Sequence, residues 1–247
     1  MTNHFDTIAD IYNKVWYFSG QYQKSMLENI IELLQLGKDD VLADIGGGTG
    51  ATTRLLLETS NLRKAYCIEP SRKMFLEAQK IPVIESVCAD AGEFMQLEID
   101  FSKVLLKEVV HHIPSRQVLW RYLRHKLPAQ GRILIVTRPQ AIALPLFEKA
   151  KQAFRQKQPK HEVLMQELET SGFATSYRVH PYRFTLDKAV WFDMIRNRFM
   201  SDLAGFTNGE IEEGLIEIDA KYPGGTIEIQ DNIIYIPASV KGMDRME

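Results

Sequence analysis

"VLADIGGGTGA", residues 41–51, is a short apolar run that breaks into four glycines. Glycines this dense let the backbone pass close to a ligand or another segment, because no Cβ stands in the way. Two overlapping patterns can be read in it. Gly46-x-Gly48-x-x-Ala51 satisfies the loose dinucleotide fingerprint, with alanine in its third place. Asp44-x-Gly46-x-Gly48-x-Gly50 is a different pattern that ends one residue earlier. The two imply different chemistry, and the flanking chain has to decide between them.

The flanks alternate between short apolar runs and helix-like stretches. The runs are "VLADI" (41–45), "KAYCIE" (64–69), "PVIESVCAD" (82–90), "KVLLKE" (103–108) and "RILIVT" (132–137). Between them lie "ATTRLLLETS", "SRKMFLEAQK" and "SRQVLWRYLRHKL". Such alternation predicts a doubly wound, mostly parallel α/β sheet, since parallel neighbours are joined by a crossover that is usually a helix. Residues 1–40 read as helical, with Ile8, Ile11 and Val15 and then Met26, Ile30, Ile31, Leu33 and Leu34 at three- and four-residue spacings. Beyond residue 140 the pattern is helical apart from "ATSYRVHPYRFT" (174–185), which alternates like a strand. "TIEIQDNIIYIPASV" reads as two runs about an Asp231-Asn232 turn, a hairpin signal.

Bulk composition narrows the class. Apolar content of 45% and charged content of 25% are ordinary for a globular protein. With 30 basic and 32 acidic residues the formal net charge is -2, which does not favour a nucleic-acid groove. Two cysteines, Cys67 and Cys88, without C-x-x-C spacing argue against a disulfide framework or a zinc site. "MTNHFDTIAD" lacks a secretory signal pattern, and no apolar run approaches the about 18 residues that span a bilayer. A cytoplasmic protein is expected, without membrane span, as monomer or homodimer.

Two acids follow the glycines at the predicted strand ends. Glu69 closes the second run, where a carboxylate would grip ribose hydroxyls, and that suits either pattern. Asp90 closes the third, at the same sheet edge, where it could accept a hydrogen bond from an adenine amine. Tyr122-x-x-x-Lys126 matches the Tyr/Lys pair of short-chain dehydrogenases, but it falls on the helix leading into the fifth run, away from the ligand edge.

With these companions the chain resembles the class I S-adenosylmethionine-dependent methyltransferases, in the small-molecule group that includes trans-aconitate and juvenile hormone acid methyltransferases. The likeness runs in order through "FDTIADIY", "VLADIGGGTG", "IEPSRKM", "CADAGEF", "VLLKEVVHHI" and "LPAQGRILIV". The terminal alternating run resembles the family's reversed last strand. Departures are Gly47 in place of the commoner cysteine or alanine, Ser102 in place of a frequent aspartate, and Ala129-Gln130 in a turn that is usually Pro-Gly-Gly.

The resemblance implies one domain over 1–247: a helical cap (1–40), a cofactor-binding core (41–140), acceptor-pocket helices and strand (141–222) and a terminal hairpin (223–247). It implies S-adenosylmethionine as cofactor, held at the methionine end by Asp44 and the backbone of Gly46, Gly48 and Gly50. Glu69 would take the ribose and Asp90 the adenine amine, with Pro70, Met74 and Ala91 along the base, and Lys107 would offer its carbonyl. Tyr12, Trp16 and Tyr17 would either lid the cofactor and acceptor or pack in the core.

Transfer to a small-molecule hydroxyl, amine or carboxylate is the expected reaction, against the alternatives of a macromolecular acceptor or a non-catalytic cofactor-binding module. His112, then His111 and Glu108, are the candidate bases; either histidine could instead simply bond loop backbone. No third ligand accompanies the histidine pair at useful spacing, so no metal is expected. Arg138, Arg183, Trp191 and Arg198 are candidate acceptor contacts, the arginines suiting an anionic group or else solvated surface.

Overall fold

The computed structural model describes residues 20–241. Tyr12, Trp16 and Tyr17 lie outside the described residues. Eight strands form a single sheet in the order β3-β2-β1-β4-β5-β8-β6, with β7 also on β8. The strands are β1 (Val41–Ile45), β2 (Lys64–Ile68), β3 (Glu85–Val87), β4 (Lys103–Lys107), β5 (Arg132–Thr137), β6 (Phe173–Thr175), β7 (Arg178–Asp187) and β8 (Thr226–Val240). The first five pair in parallel, whereas β8 runs antiparallel to β5, β6 and β7. The expected Rossmann-like sheet with a reversed last strand is what forms.

Period-two burial on both faces explains the near-continuous apolar strands. Leu42, Leu105 and Leu134 face one core, together with α1 (Gly20–Leu34). Ala43, Val104 and Ile133 face the other, with α4 (Ala91–Phe94), α5 (Arg116–Lys126) and α7 (His161–Thr170). Helices α2 (Ala51–Thr59) and α3 (Arg72–Gln79) complete the crossovers on the β2 side. The helix α1 turns Tyr22, Met26, Ile30 and Leu34 inward at four-residue spacing. That stripe docks it against the face of the sheet that carries Leu42, Leu105 and Leu134, and each buried side chain contributes roughly 1.5–3 kcal/mol of gross transfer energy. The segment between β5 and β8 supplies α6 (Glu148–Lys157), α8 (Lys188–Arg196) and α9 (Asn208–Lys221).

Two local expectations are corrected. "ATSYRVHPYRFT" is not one strand but parts of two, β6 and β7, separated at Ser176 and Tyr177. The expected terminal hairpin about Asp231-Asn232 is one continuous fifteen-residue strand. Asp231 is 1% exposed and stands in the inward row Ile227, Ile229, Asp231, Ile233. Its carboxylate accepts from both Arg138 Nε (2.8 Å) and Nη2 (2.7 Å), and from the Tyr22 hydroxyl (2.8 Å). A buried ion pair thus keeps extended a dipeptide whose polarity otherwise signals a turn.

Because β8 is reversed, its first half overshoots the end of β5, where Thr137 pairs with Ile234. This half pairs with β7 and forms a two-stranded ribbon beyond the ligand edge. Arg138, one residue past β5, meets Asp231, three residues before that last pair. Asp231→Ala would leave a fully buried guanidinium short of its main partner, and should cost about 3–5 kcal/mol of unfolding free energy in urea titration. A loss under about 1 kcal/mol would show that the pair does not hold β8 in place.

Candidate active site

The loop after β1 takes left-handed backbone at Gly46 (φ 76°), Gly48 (φ 59°) and Gly50 (φ 74°). Gly46 also touches the loop after β4: a Cβ there would stand 2.4 Å from Val109 Cγ2. Alanine is excluded on both counts. No side chain caps α2 at Gly50, so its leading N–H groups open onto the loop. Two clefts flank this point and share Gly46.

The first cleft lies between the glycine loop and α1. Tyr22, Met26 and Leu27 of α1 face Gly46, Gly47 and Gly48 across it, with Ile233 of β8 and Val136 of β5 at its far side. Its polar wall is a set of charged side chains on adjacent strands: Asp44 on β1, Lys107 and Glu108 at the end of β4, and Arg138 after β5. The registers place them along one edge, since Asp44 pairs with Leu105 and Lys107 with Val136. Asp231 on β8 continues the set beyond Arg138.

Each charge is shaped by its burial. Asp44 accepts from the Thr53 hydroxyl at 2.6 Å, and burial pushes its carboxyl up to about 6 against the pull of Thr53 and Lys107. Burial lowers the Lys107 ammonium below its ordinary range, although Glu108 and Asp44 draw it back up. Glu108 is raised by burial, and Arg138 and Lys107 oppose that rise. One oxygen of Glu108 takes a short bond from Arg138, while the other, Oε1, is buried with no hydrogen-bond partner. Its backbone is also left-handed (φ 56°), a conformation that costs a non-glycine residue energy and is concentrated at working sites.

The second cleft lies beyond Gly46, towards β3 and the turn after β4. Pro70, Asp90 and Ala91 line it together with Val109, His112 and Ile113. Asp90 caps α4 through a capping box, accepting from Gly92 N (2.7 Å) and Glu93 N (2.8 Å). Glu69 sits at the carboxyl end of β2 with its carboxylate on Gly48 N (3.0 Å) and Ser71 N (2.8 Å).

The edge therefore gathers Asp44, the glycines, Glu69, Pro70, Asp90, Ala91, Lys107, Glu108 and His112. Met74 is buried and lines neither cleft. His111 has a buried, unpartnered Nδ1, and burial with the adjacent His112 takes it down to about 3. Burial lowers His112 as well, and its Nε2 lies 3.4 Å from the Ser201 hydroxyl. Tyr122 packs edge-on against Phe94 and lines neither cleft, which removes the dehydrogenase pair.

Of the acceptor candidates, Trp16 and Tyr17 lie outside the described residues, Arg138 lines the first cleft, and Arg183, Trp191 and Arg198 line neither of the two. The Arg138 guanidinium is 2% exposed and already neutralised by Asp231 and Glu108. Trp191 is fully buried, packed edge-on against Phe199, with its N–H on the Pro145 carbonyl. Arg198 ties the Phe206 carbonyl and Asn208 at the start of α9, and Arg183 is an exposed β7 residue on Gln230. Sequence reasoning missed the Lys107 side chain, Tyr22 and Asp231. The only signal for Lys107 was a charge at the end of an apolar strand run.

Residues 43–135 match the methyltransferase domain family. That match covers less than half of the chain and makes residues 43–135 similar to a methyltransferase domain. The chain is 30% identical over 114 residues to the ribosomal RNA small subunit methyltransferase A of Mycoplasma mobile, covering 45% of this chain and 44% of that one. A Clostridium botulinum protein of the same name is 29% identical over 92 residues, covering 37% and 30%. The chain thus spans less than half the length of these curated relatives. Among solved structures, phosphoethanolamine N-methyltransferase 2 of Haemonchus contortus, in complex with S-adenosyl-L-methionine, superposes with a TM-score of 0.61 at 17% identity, over 96% of this chain and 57% of that one. The cyclopropane synthase MmaA2 of Mycobacterium tuberculosis gives 0.62 at 14% identity, over 97% and 99%. At such identities the superpositions establish the fold of the domain and its surroundings.

The raised Asp44 carboxyl makes a prediction about stability. An acid whose folded value lies above its unfolded one loses stability as pH rises between the two, here from about 4 to about 6. Asp44→Asn, which can still accept from Thr53, should therefore be more stable than the native chain at pH 7, by about 3 kcal/mol. The difference should vanish near pH 4. Urea unfolding at both pH values measures it, and equal stability at pH 7 would contradict the burial of an ionised Asp44.

Proposed function

We propose that the protein is an S-adenosylmethionine-dependent methyltransferase acting on a small molecule. The carrying observation is the first cleft. Two carboxylates, Asp44 and Glu108, face a glycine loop there, and a carboxylate oxygen of Glu108 is buried without a partner. That chemistry fits a cationic donor with a free ammonium group, which would give the orphaned oxygen a hydrogen-bond donor.

Bound there, S-adenosylmethionine supplies an activated methyl group on a cationic sulfur. Asp44 and the backbone of the glycine loop would hold its amino-acid end, Glu69 its ribose, and Asp90 its adenine amine, with Pro70 and Ala91 along the base. His112 shares the second cleft with Asp90, and we assign it to the nucleoside side of the site rather than to the acceptor. The chain's own task is alignment and exclusion of water. Tyr22, Met26 and Leu27 of α1 roof the cleft and Ile233 of the ribbon closes it opposite, giving an acceptor site with an apolar lining.

A nucleic-acid acceptor is the second reading, favoured by the ribosomal RNA enzymes among the relatives. Against it stand the net charge of -2 and the pairing of surface arginines with acids, as in Arg116–Glu167, Arg196–Glu212 and Arg178–Glu32. Incubation with methyl-labelled S-adenosylmethionine and either total RNA or a low-mass metabolite fraction separates them. Label in RNA alone would overturn the small-molecule reading.

The cofactor assignment is tested by thermal shift with S-adenosylmethionine, S-adenosylhomocysteine, NAD and NADP. A ligand at a hundred times its Kd should add about 2.7 kcal/mol of stability. Stabilisation by the nicotinamide cofactors alone would refute the assignment. Asp90→Ser keeps a good helix cap for α4 but shortens the acid. We expect an unchanged Tm and at least tenfold weaker S-adenosylhomocysteine binding; unchanged affinity would refute the adenine contact.

A further inference from the structure

Lys107 has no part in the assignments above beyond its carbonyl, yet its side chain is the unusual one in the cleft. It ends β4 on the face that turns towards α1, between Asp44 of β1 and Arg138 beyond β5. Among the described residues its ammonium makes no ion pair within 4 Å, although two carboxylates share the cleft. A lysine confined in a cleft without such a pair is held for something other than structural charge pairing.

The groups that face it are few. Asp44 comes from β1, Glu108 from its own strand end, Arg138 from the β5 end with Asp231 of β8 behind it, and Tyr22 from α1. Burial already lowers the Lys107 ammonium, and it is the two carboxylates that support it. Arg138 cannot share this lability, because Asp231 and Glu108 hold it charged. A second cation brought beside Lys107 would compete for the same two carboxylates. In a low-dielectric cleft the cheaper outcome is for the lysine to lose its proton.

The geometry points to Lys107 as the proton acceptor of the transfer: it gives up its own proton when a sulfonium lies in the cleft, and then takes the proton of a hydroxyl or amine on an uncharged acceptor. This rests on the donor reading proposed above. The balance closes without a further reactant. The acceptor oxygen or nitrogen bonds to the methyl carbon, the electron pair of the broken S–C bond stays on sulfur, and the acceptor proton goes to Lys107 Nζ. The charge then returns to its starting place as the sulfonium becomes a neutral thioether, and the product leaves a cleft that again holds an ammonium. A carboxylate acceptor would need no such group, so Lys107 selects against the acid esterification of the enzymes that the sequence resembles.

The test needs no acceptor. S-Adenosylmethionine and S-adenosylhomocysteine differ only in the methyl and the sulfonium charge, so calorimetric titration of each, in two buffers of different ionisation enthalpy at pH 8, counts the protons released. We expect the native chain to release at least about half a proton more with S-adenosylmethionine, and Lys107→Met to abolish that excess. The same excess in Lys107→Met would overturn the proposal. In case this variant misfolds, the native chain gives a second readout. Its preference for S-adenosylmethionine over S-adenosylhomocysteine should rise with pH from 7 to 9, up to tenfold per unit, once the ligands' own amino groups are corrected for. A flat ratio overturns it. If neither ligand binds, the donor reading falls, and this inference falls with it.

Discussion

The buried guanidinium of Arg138 is the constraint around which the ligand edge is arranged. A charge with 2% exposure is costly unless it is fully paired, and a single carboxylate leaves part of its five-donor fork unserved. Asp231 takes two of its N–H groups and Glu108 another. Tyr22 then donates to Asp231 from above. Four elements, α1, β4, β5 and β8, are thereby held at one point. The left-handed backbone at Glu108 belongs to the same arrangement, since that residue must turn back towards Arg138 while its N–H still bonds the Val136 carbonyl at 2.8 Å.

What that point holds is the floor and one wall of the first cleft. Replacing such a cluster with well-packed apolar residues is commonly neutral or stabilising, so packing alone does not explain it. It also leaves the cleft with an asymmetric set of charges. Arg138 is fixed, whereas Asp44 and Lys107 are both displaced from their ordinary titration by burial, in opposite senses. Each of those two is less stable charged than it would be in water, and each would be relieved by a ligand or by a change of protonation, Asp44 gaining a proton and Lys107 losing one. The glycine loop brings backbone to the cleft without side-chain bulk, and α1 and Ile233 of the β7–β8 ribbon wall the same space.

The parallel half of the fold was legible because its signals are local. "VLADI" and "RILIVT" coincide with β1 and β5, and the crossover helices begin where the apolar runs stop. The glycine loop, Glu69 and Asp90 could be placed at one edge because strand ends in a doubly wound sheet share an edge. Asp231-Asn232 was misread for the opposite reason. Its polarity answers to Arg138, ninety-three positions away in sequence, and no local pattern carries that information. Trp191 and Arg198 looked like pocket residues by type, but the one fills a core and the other caps a loop, and type alone cannot tell these apart. Lys107 was counted for its carbonyl because a strand pattern says which residues alternate, not which end lies under a helix.

The superpositions carry a further lesson about where specificity lies. An N-methyltransferase and a cyclopropane synthase share this fold at 17% and 14% identity, so the sheet and its glycine loop do not determine the group that receives carbon. The determinants have to be side chains that the fold leaves free to vary at the carboxyl edge. In this chain the side chains that line that edge are Lys107 and Glu108 at the end of β4, Arg138 after β5, and the α1 and ribbon residues above them. With Lys107 neutral beside the donor, the ionised Asp44, Glu108 and Asp231 against Arg138 leave two negative charges, of which a donor of net charge +1 would cancel one. An anionic acceptor would then meet a like charge in the cleft, at a cost of several kcal/mol in a water-poor site. An uncharged acceptor meets no such penalty, and the apolar sides of the cleft, Met26, Leu27, Leu55 and Ile233, offer it a surface to bury.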